Sequence, residues 1–177
     1  MYTISKLCEL ICNDCEKQLI GLHISPIHKE EHNFIIMNEA GTLKVLHGSH
    51  NANEFLNFAK EIVPPKCSYT DFLQNIAYSQ EFVLEYRRKF FKDIFLTGDI
   101  SILLSKVKDM DFNAPQIRHG GLDGFSLNYW MPGLDRELYV WCCHYDNYYA
   151  PITDLANVLL DAASVDKQYR FGVSKST

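Results

Sequence analysis

The side chains best suited to chemistry in this 177-residue chain are cysteines and histidines, and they fall into short clusters. Cys8, Cys12 and Cys15 project within about 60° of one another if residues 4 to 21 form a helix. Cys12-Asn13-Asp14-Cys15 has Cys-x-x-Cys spacing, and Cys142, Cys143 and His144 would complete a set of ligands for zinc. A zinc ribbon places such a pair in a tight turn, however. Cys8 and Cys15 instead fall on the apolar stripe of the expected helix, where cysteine packs as a small hydrophobe. A thioredoxin-like role would need the pair at a helix N-terminus, which lowers the thiol pKa. This pair is mid-helix, so we read the thiols as core and expect no metal and no cofactor.

His28-Lys29-Glu30-Glu31-His32 matches the H-x-x-E-H pattern of inverted zinc peptidases. That chemistry needs two imidazoles one helical turn apart, with the glutamate beside a metal-bound water. Pro26 precedes the pattern and the apolar run Phe34-Ile35-Ile36 follows, leaving little room for such a helix, so we expect a solvated charged loop. No G-x-S-x-G elbow and no glycine-rich phosphate loop occurs. His119-Gly120-Gly121 reads as a turn, and Cys143 and His144, adjacent on a strand, would point to opposite faces. Asp135 and Glu137 flank a hairpin turn, where paired carboxylates read as exposed groups, not as an acid–base pair. No catalytic residue is assigned.

Charge carries more information. Asp109 to Asp166 holds nine Asp/Glu against Arg118 and Arg136, a net of −7 within a chain of net −5. Both tryptophans and five of the ten tyrosines lie in the same window. Such a surface suits a basic protein partner and repels the phosphates of nucleic acid. The one basic cluster, Arg87-Arg88-Lys89 with Lys92, spreads over about 200° of arc on a helix and reads as a solvated face, with Glu85 placed to pair with Lys89.

These features rest on elements read from periodicity. Residues 4 to 21 read as an amphipathic helix ended by Gly21 and Pro26. Asn33–Met37 and Thr42–His47 read as a hairpin around Asn38-Glu39-Ala40-Gly41. Asn51 and Glu54 form a capping-box pattern for a helix whose stripe is Phe55, Leu56, Ala59, Ile62 and Val63. Helical spacing continues through residues 69 to 96, with a break at Thr97-Gly98-Asp99 before a short helix on Ile100, Leu103, Leu104 and Val107. Phe125, Leu127, Tyr129 and Met131 then alternate with polar and aromatic residues, as do Leu138, Val140 and Cys142 beyond the turn. Pro151 starts a helix with Ile152, Leu155, Ala156, Leu159 and Ala163 inward, and Tyr169, Phe171 and Val173 suggest a last strand. The whole reads as one α+β domain over residues 1–177, helix-rich in 1–110, with a β-hairpin and helix in 115–173. No apolar run reaches the ~20 residues of a membrane helix, and the charged N-terminus is unlike a signal peptide, so we expect a cytoplasmic protein.

The second hairpin sets Trp130, Tyr139 and Trp141 on the side away from its aliphatic face, with Asp135, Glu137, Asp146, Tyr148 and Tyr149 close in sequence. Trp and Tyr favour interface hot spots, and surrounding carboxylates speed encounter with a cationic partner. These eight residues form the expected partner-binding surface. A small, acidic chain with such a segment and no reaction signature is similar in kind to the immunity proteins of bacterial contact-dependent growth inhibition. The resemblance covers the whole chain in size, charge and composition. It implies a non-enzymatic protein that neutralises a cognate toxin domain, often a nuclease with a basic cleft, and binds neither nucleic acid nor membrane. The competing readings are a small metal-dependent hydrolase using the Cys and His residues, and a regulatory adaptor that binds a host protein.

Overall fold

Alternation of apolar side chains with a period of two dominates the centre of the chain, and it builds a sheet. The computed structural model describes residues 18–26, 30–62, 80–110, 125–131, 138–141, 149–166 and 171. Three long strands come first: β1 (Gln18–Pro26), β2 (Glu31–Glu39) and β3 (Thr42–His50). Helices α1 (Ala52–Ile62) and α2 (Gln80–Phe90) follow, and α2 passes directly into β4 (Phe91–Ile94). The chain then forms α3 (Ser101–Lys108), β5 (Phe125–Trp130), β6 (Leu138–Trp141) and α4 (Ala150–Ala162). The six strands make one antiparallel sheet in the order β4-β3-β2-β1-β5-β6. The architecture is α+β.

Both faces of this sheet are buried. Ile20, Leu22 and Ile24 of β1 line up with Phe34 and Ile36 of β2, Val45 of β3, and Leu127 and Tyr129 of β5. With Ile100, Leu104 and Val107 of the α3 region and Ile152, Leu155, Ala156, Leu159 and Leu160 of α4, they form a single, largely aliphatic core. Asn157 holds the chain end to this layer, donating from Nδ2 to the Phe171 carbonyl at 3.0 Å and accepting from the Phe171 N–H at 2.8 Å. The opposite face carries an aromatic layer. Phe55 and Phe58 of α1 meet Phe82, Tyr86 and Phe90 of α2 through ring contacts of 5.2 to 6.4 Å, and reach the sheet at His50 and Phe91.

Local signals account for several joints. Ala40 and Gly41 both have positive φ (51° and 84°), as a two-residue hairpin turn requires, and the Gly41 N–H donates to Asn38 Oδ1 at 3.0 Å. At the start of α1 the capping box closes in both directions. The Glu54 N–H donates to Asn51 Oδ1 at 2.9 Å, and the Asn51 N–H to Glu54 Oε2 at 2.8 Å. Asp99 accepts from the Ser101 N–H at 2.8 Å and from its hydroxyl, which holds the Asp99 carboxyl below its usual range.

The structure corrects several expectations. Of the helix expected over residues 4 to 21, residues 4–17 lie outside the described residues and β1 occupies the rest, so Gly21 and Pro26 lie inside a strand rather than after a helix. Four of the six strands fall before residue 110, where a helix-rich region was expected. Helical spacing does not extend to Ile94, because pairing with β3 claims Phe91–Ile94. Phe58 takes a buried place on α1 and Leu56 is half-buried. Glu85 pairs with Arg88 at 2.6 Å, while Lys89 reaches Glu61 of α1 at 3.4 Å and lies over the Phe58 ring. Phe171 sits in a bend, and Tyr169 and Val173 lie outside the described residues. No helix among the described residues is long and apolar enough to cross a membrane.

Gly48 is where the aromatic layer comes closest to the sheet. A Cβ there would lie 2.6 to 2.7 Å from three atoms of the Phe91 ring, which is itself packed 5.7 Å from Tyr86. Alanine ordinarily suits a strand better than glycine, but here overpacking decides the sign. Gly48→Ala is expected to destabilise the fold by ~1–3 kcal/mol. A urea midpoint equal to or above that of the parent protein would show that Phe91 is free to yield.

Candidate functional site

Strand pairing shows where the expected aromatic face belongs. Position 130 lies opposite Gly21, position 139 opposite Asn128, and position 141 opposite Ser126. Asn128 in turn faces His23, which faces Asn33, which faces Gly48, which faces Phe91. One row of positions thus crosses all six strands, from Tyr139 on β6 to Phe91 on β4. Trp130, Tyr139 and Trp141 have the same register parity as the sheet face under α1 and α2, and their β1 neighbours Gly21 and His23 are buried. The side chains at positions 130, 139 and 141 lie outside the described residues, as do Asp135, Glu137, Asp146 and Tyr148. Tyr149 is half-buried against the aliphatic core at the start of α4, and its carbonyl accepts from the Thr153 hydroxyl at 3.1 Å. The structure therefore brings positions 130, 139 and 141 together on neighbouring strands and sets Tyr149 into the packing of α4.

The same rows hold a set of polar groups that the sequence reading left unassigned. His23, His32, Asn33, His47 and His50 are all buried in the central strands. On the aromatic face, His23 Nε2 donates to Glu31 Oε2 at 3.1 Å, and Glu31 is the cross-strand partner of His50. His50 Nε2 lies 2.6 Å from the Tyr86 hydroxyl, and its ring packs against Phe55, Tyr86 and Phe90 at 5.0 to 5.6 Å. On the aliphatic face, His32 Nδ1 lies 3.3 Å from His47 Nε2, and His47 stacks on Phe34 at 4.7 Å.

Burial sets the charge state of this group. His47 is pushed down to about 3, first by loss of water and then by His32 and by Lys92, its cross-strand partner. Burial also lowers His32, against the raising effect of Glu30 and with a lowering one from His50. His50 is lowered by burial, with Glu31 opposing. These imidazoles are neutral at pH 7 and act as packed, hydrogen-bonding rings. With Tyr86 and His50 at 0% and 1% exposure, the Tyr86–His50 pair cannot reach a substrate from solvent.

The placement of Glu31 and His32 revises the loop expected over His28–His32. Strand β2 begins at Glu31, His32 is buried, and only Glu30 of the described residues there is exposed. A zinc-peptidase helix is incompatible with that strand. All six cysteines lie outside the described residues, and among the described residues no three His, Cys, Asp or Glu side chains converge as a metal ion requires. Comparison with protein-family models, curated proteins and solved structures returns no match.

Two outcomes test this account. The unfolded chain takes up protons near pH 6.5 that the folded histidines refuse, so stability must fall as pH drops from 7 towards 5. His32, His47 and His50 each contribute up to ~1.4 kcal/mol per pH unit across that window, above the usual carboxylate range. His47→Gln should flatten the dependence of the urea midpoint on pH, and a midpoint constant from pH 7 to 5 in the parent protein would contradict neutral burial. Asn33 is fully buried, and neither amide atom has a hydrogen-bond partner among the described residues. Asn33→Leu, close in size, is therefore expected to stabilise the fold by about 1–2 kcal/mol in the same urea assay. A loss of stability would show that the amide is satisfied in solution.

Proposed function

We propose that this protein is a non-enzymatic inhibitor: a cytoplasmic immunity protein that binds and neutralises a basic toxin domain, most simply a nuclease. The observation that carries the proposal is the distribution of charge over the sheet. The segment of net −7 builds β5, β6 and α4, and the connection bearing Asp135 and Glu137 joins the two strands at one edge of the sheet. Arg87, Arg88, Lys89 and Lys92 lie on α2 and β4, at the opposite edge.

A polarised chain of this kind orients itself in the field of a cationic partner before contact. Carboxylates from the β5–β6 connection would take the place of substrate phosphates in the partner's cleft. Trp130, Tyr139, Trp141 and Tyr148 would supply apolar area where water must leave, with Asp146 and Tyr149 at the margin. No step in this function calls for a cofactor, and inhibition follows from occupancy.

Co-expression with the product of the adjacent reading frame tests the proposal. That product should be toxic alone, harmless with this protein, and recovered in complex with it. A product neither toxic nor bound would end the reading. For the complex, Asp135→Lys combined with Glu137→Lys should slow association by about tenfold. Raising the salt should slow the parent protein too, because exposed charges are screened over ~8 Å at physiological ionic strength. A rate indifferent to both changes would remove electrostatic steering from the mechanism.

A further inference from the structure

We propose that the groove between α2 and β4 is a second docking site, for an extended segment of a partner protein in which carboxylates flank an apolar residue. The groove encloses about 420 Å³ and is lined by Leu46, Leu84, Arg87, Arg88, Phe91 and Asp93. That volume falls in the ~300–1,000 Å³ range of ligand clefts. Pairing of Asp93 with Leu46 and of Phe91 with Gly48 turns these residues to the α2 side of the sheet. Leu84 stands 61% exposed on the helix wall, and Phe95, just past the end of β4, is 89% exposed. Apolar surface this open at a groove fits a partner's apolar side chain.

The charges select the sign of the partner. Each carboxylate at the groove is already engaged: Glu85 by Arg88 at 2.6 Å and Asp93 by Lys44 at 3.4 Å. Arg87 is exposed and has no ion-pair partner among the described residues. An exposed guanidinium presents a planar fork of donors that matches a carboxylate; Arg88, exposed beside it, is already paired with Glu85.

The backbone selects the shape. β4 is the terminal strand of the sheet, pairing with β3 alone among the described residues, and Lys92 and Asp93 are exposed along it. An extended peptide can continue the sheet there, its alternate side chains turned towards the groove. A second copy of this chain suits the edge poorly. Symmetric pairing centred on β4 would set Lys92 against Lys92 or Asp93 against Asp93, and like charges directly opposite destabilise a ladder. The inference does not rest on the acidic segment, which belongs to β5, β6 and α4.

Fluorescence anisotropy on the full chain provides the test, with a short labelled peptide alternating leucine with aspartate or glutamate as probe. Saturable binding is expected. The double variant Arg87→Glu, Arg88→Glu should weaken it at least about tenfold, Leu84→Ser should weaken it as well, and a counterpart peptide with lysine for the acidic residues should not bind. All three positions are exposed, and circular dichroism checks that the variants fold. The absence of saturable binding, or binding indifferent to both variants, would overturn the proposal. Displacement of the peptide by a single-stranded oligonucleotide would reassign the groove to nucleic acid. Self-association of the parent chain abolished by Arg87→Glu would reassign it to a second copy. No toxin is needed for these measurements, so their failure is distinct from failure of the immunity reading.

Discussion

Covering a single antiparallel sheet on both faces is the constraint from which the rest of the structure follows. An antiparallel sheet with one wet face needs only every second residue to be apolar. Here helices lie on each side, so nearly every position of the central strands must tolerate burial. The chain meets this by dividing the labour: aliphatic side chains face α3 and α4, and aromatic rings gather under α1 and α2. Several polar residues of the central strands are buried as well, which is how four histidines and Asn33 come to lie inside. The neutrality of His32, His47 and His50 is a consequence of where the strands run, and it ties the fold to conditions near neutral pH.

The same arrangement organises the surface. With both faces of the central strands covered, the edge strand β4 is where backbone and charge meet solvent together. The acidic, aromatic stretch of the sequence contributes β5, β6 and α4, while α2 and β4 bring guanidinium and ammonium groups to the β4 edge of the sheet. The polar groups buried in the central strands are sealed from solvent.

What could be read from residues alone was what local chemistry decides. The Asn51–Glu54 cap, the Ala40-Gly41 turn, the α3 and α4 stripes and the paired strands of the second hairpin each depend on neighbours a few positions away. β1 was not legible in that way. Leu19 and Leu22 satisfy helical spacing as well as Ile20, Leu22 and Ile24 satisfy strand spacing, and the choice is made by β2 and β5 pairing on either side. β4 is similar, since Phe90 and Ile94 fit a helical stripe until Gly48 gives the Phe91 ring a place on the sheet. Buried histidines escape a reading that classes His with polar residues, because alternating with Leu22, Ile24 and Leu46 they carry the pattern of a solvated face. Alternation also made the β5–β6 pairing readable, and the register adds that positions 130, 139 and 141 run in line with the histidine rows.

One junction carries a mechanical implication. α2 ends at Phe90 and β4 begins at Phe91, with no residue between them to act as a joint. Rings on both sides of that boundary are wedged into the same cluster, Phe90 against Phe58 and Phe91 against Tyr86. Helix and strand therefore behave as one bent lever whose fulcrum is the stack of rings. A load applied to the strand passes into β3 through the ladder and, by tilting the helix, leans on α1 through Phe58.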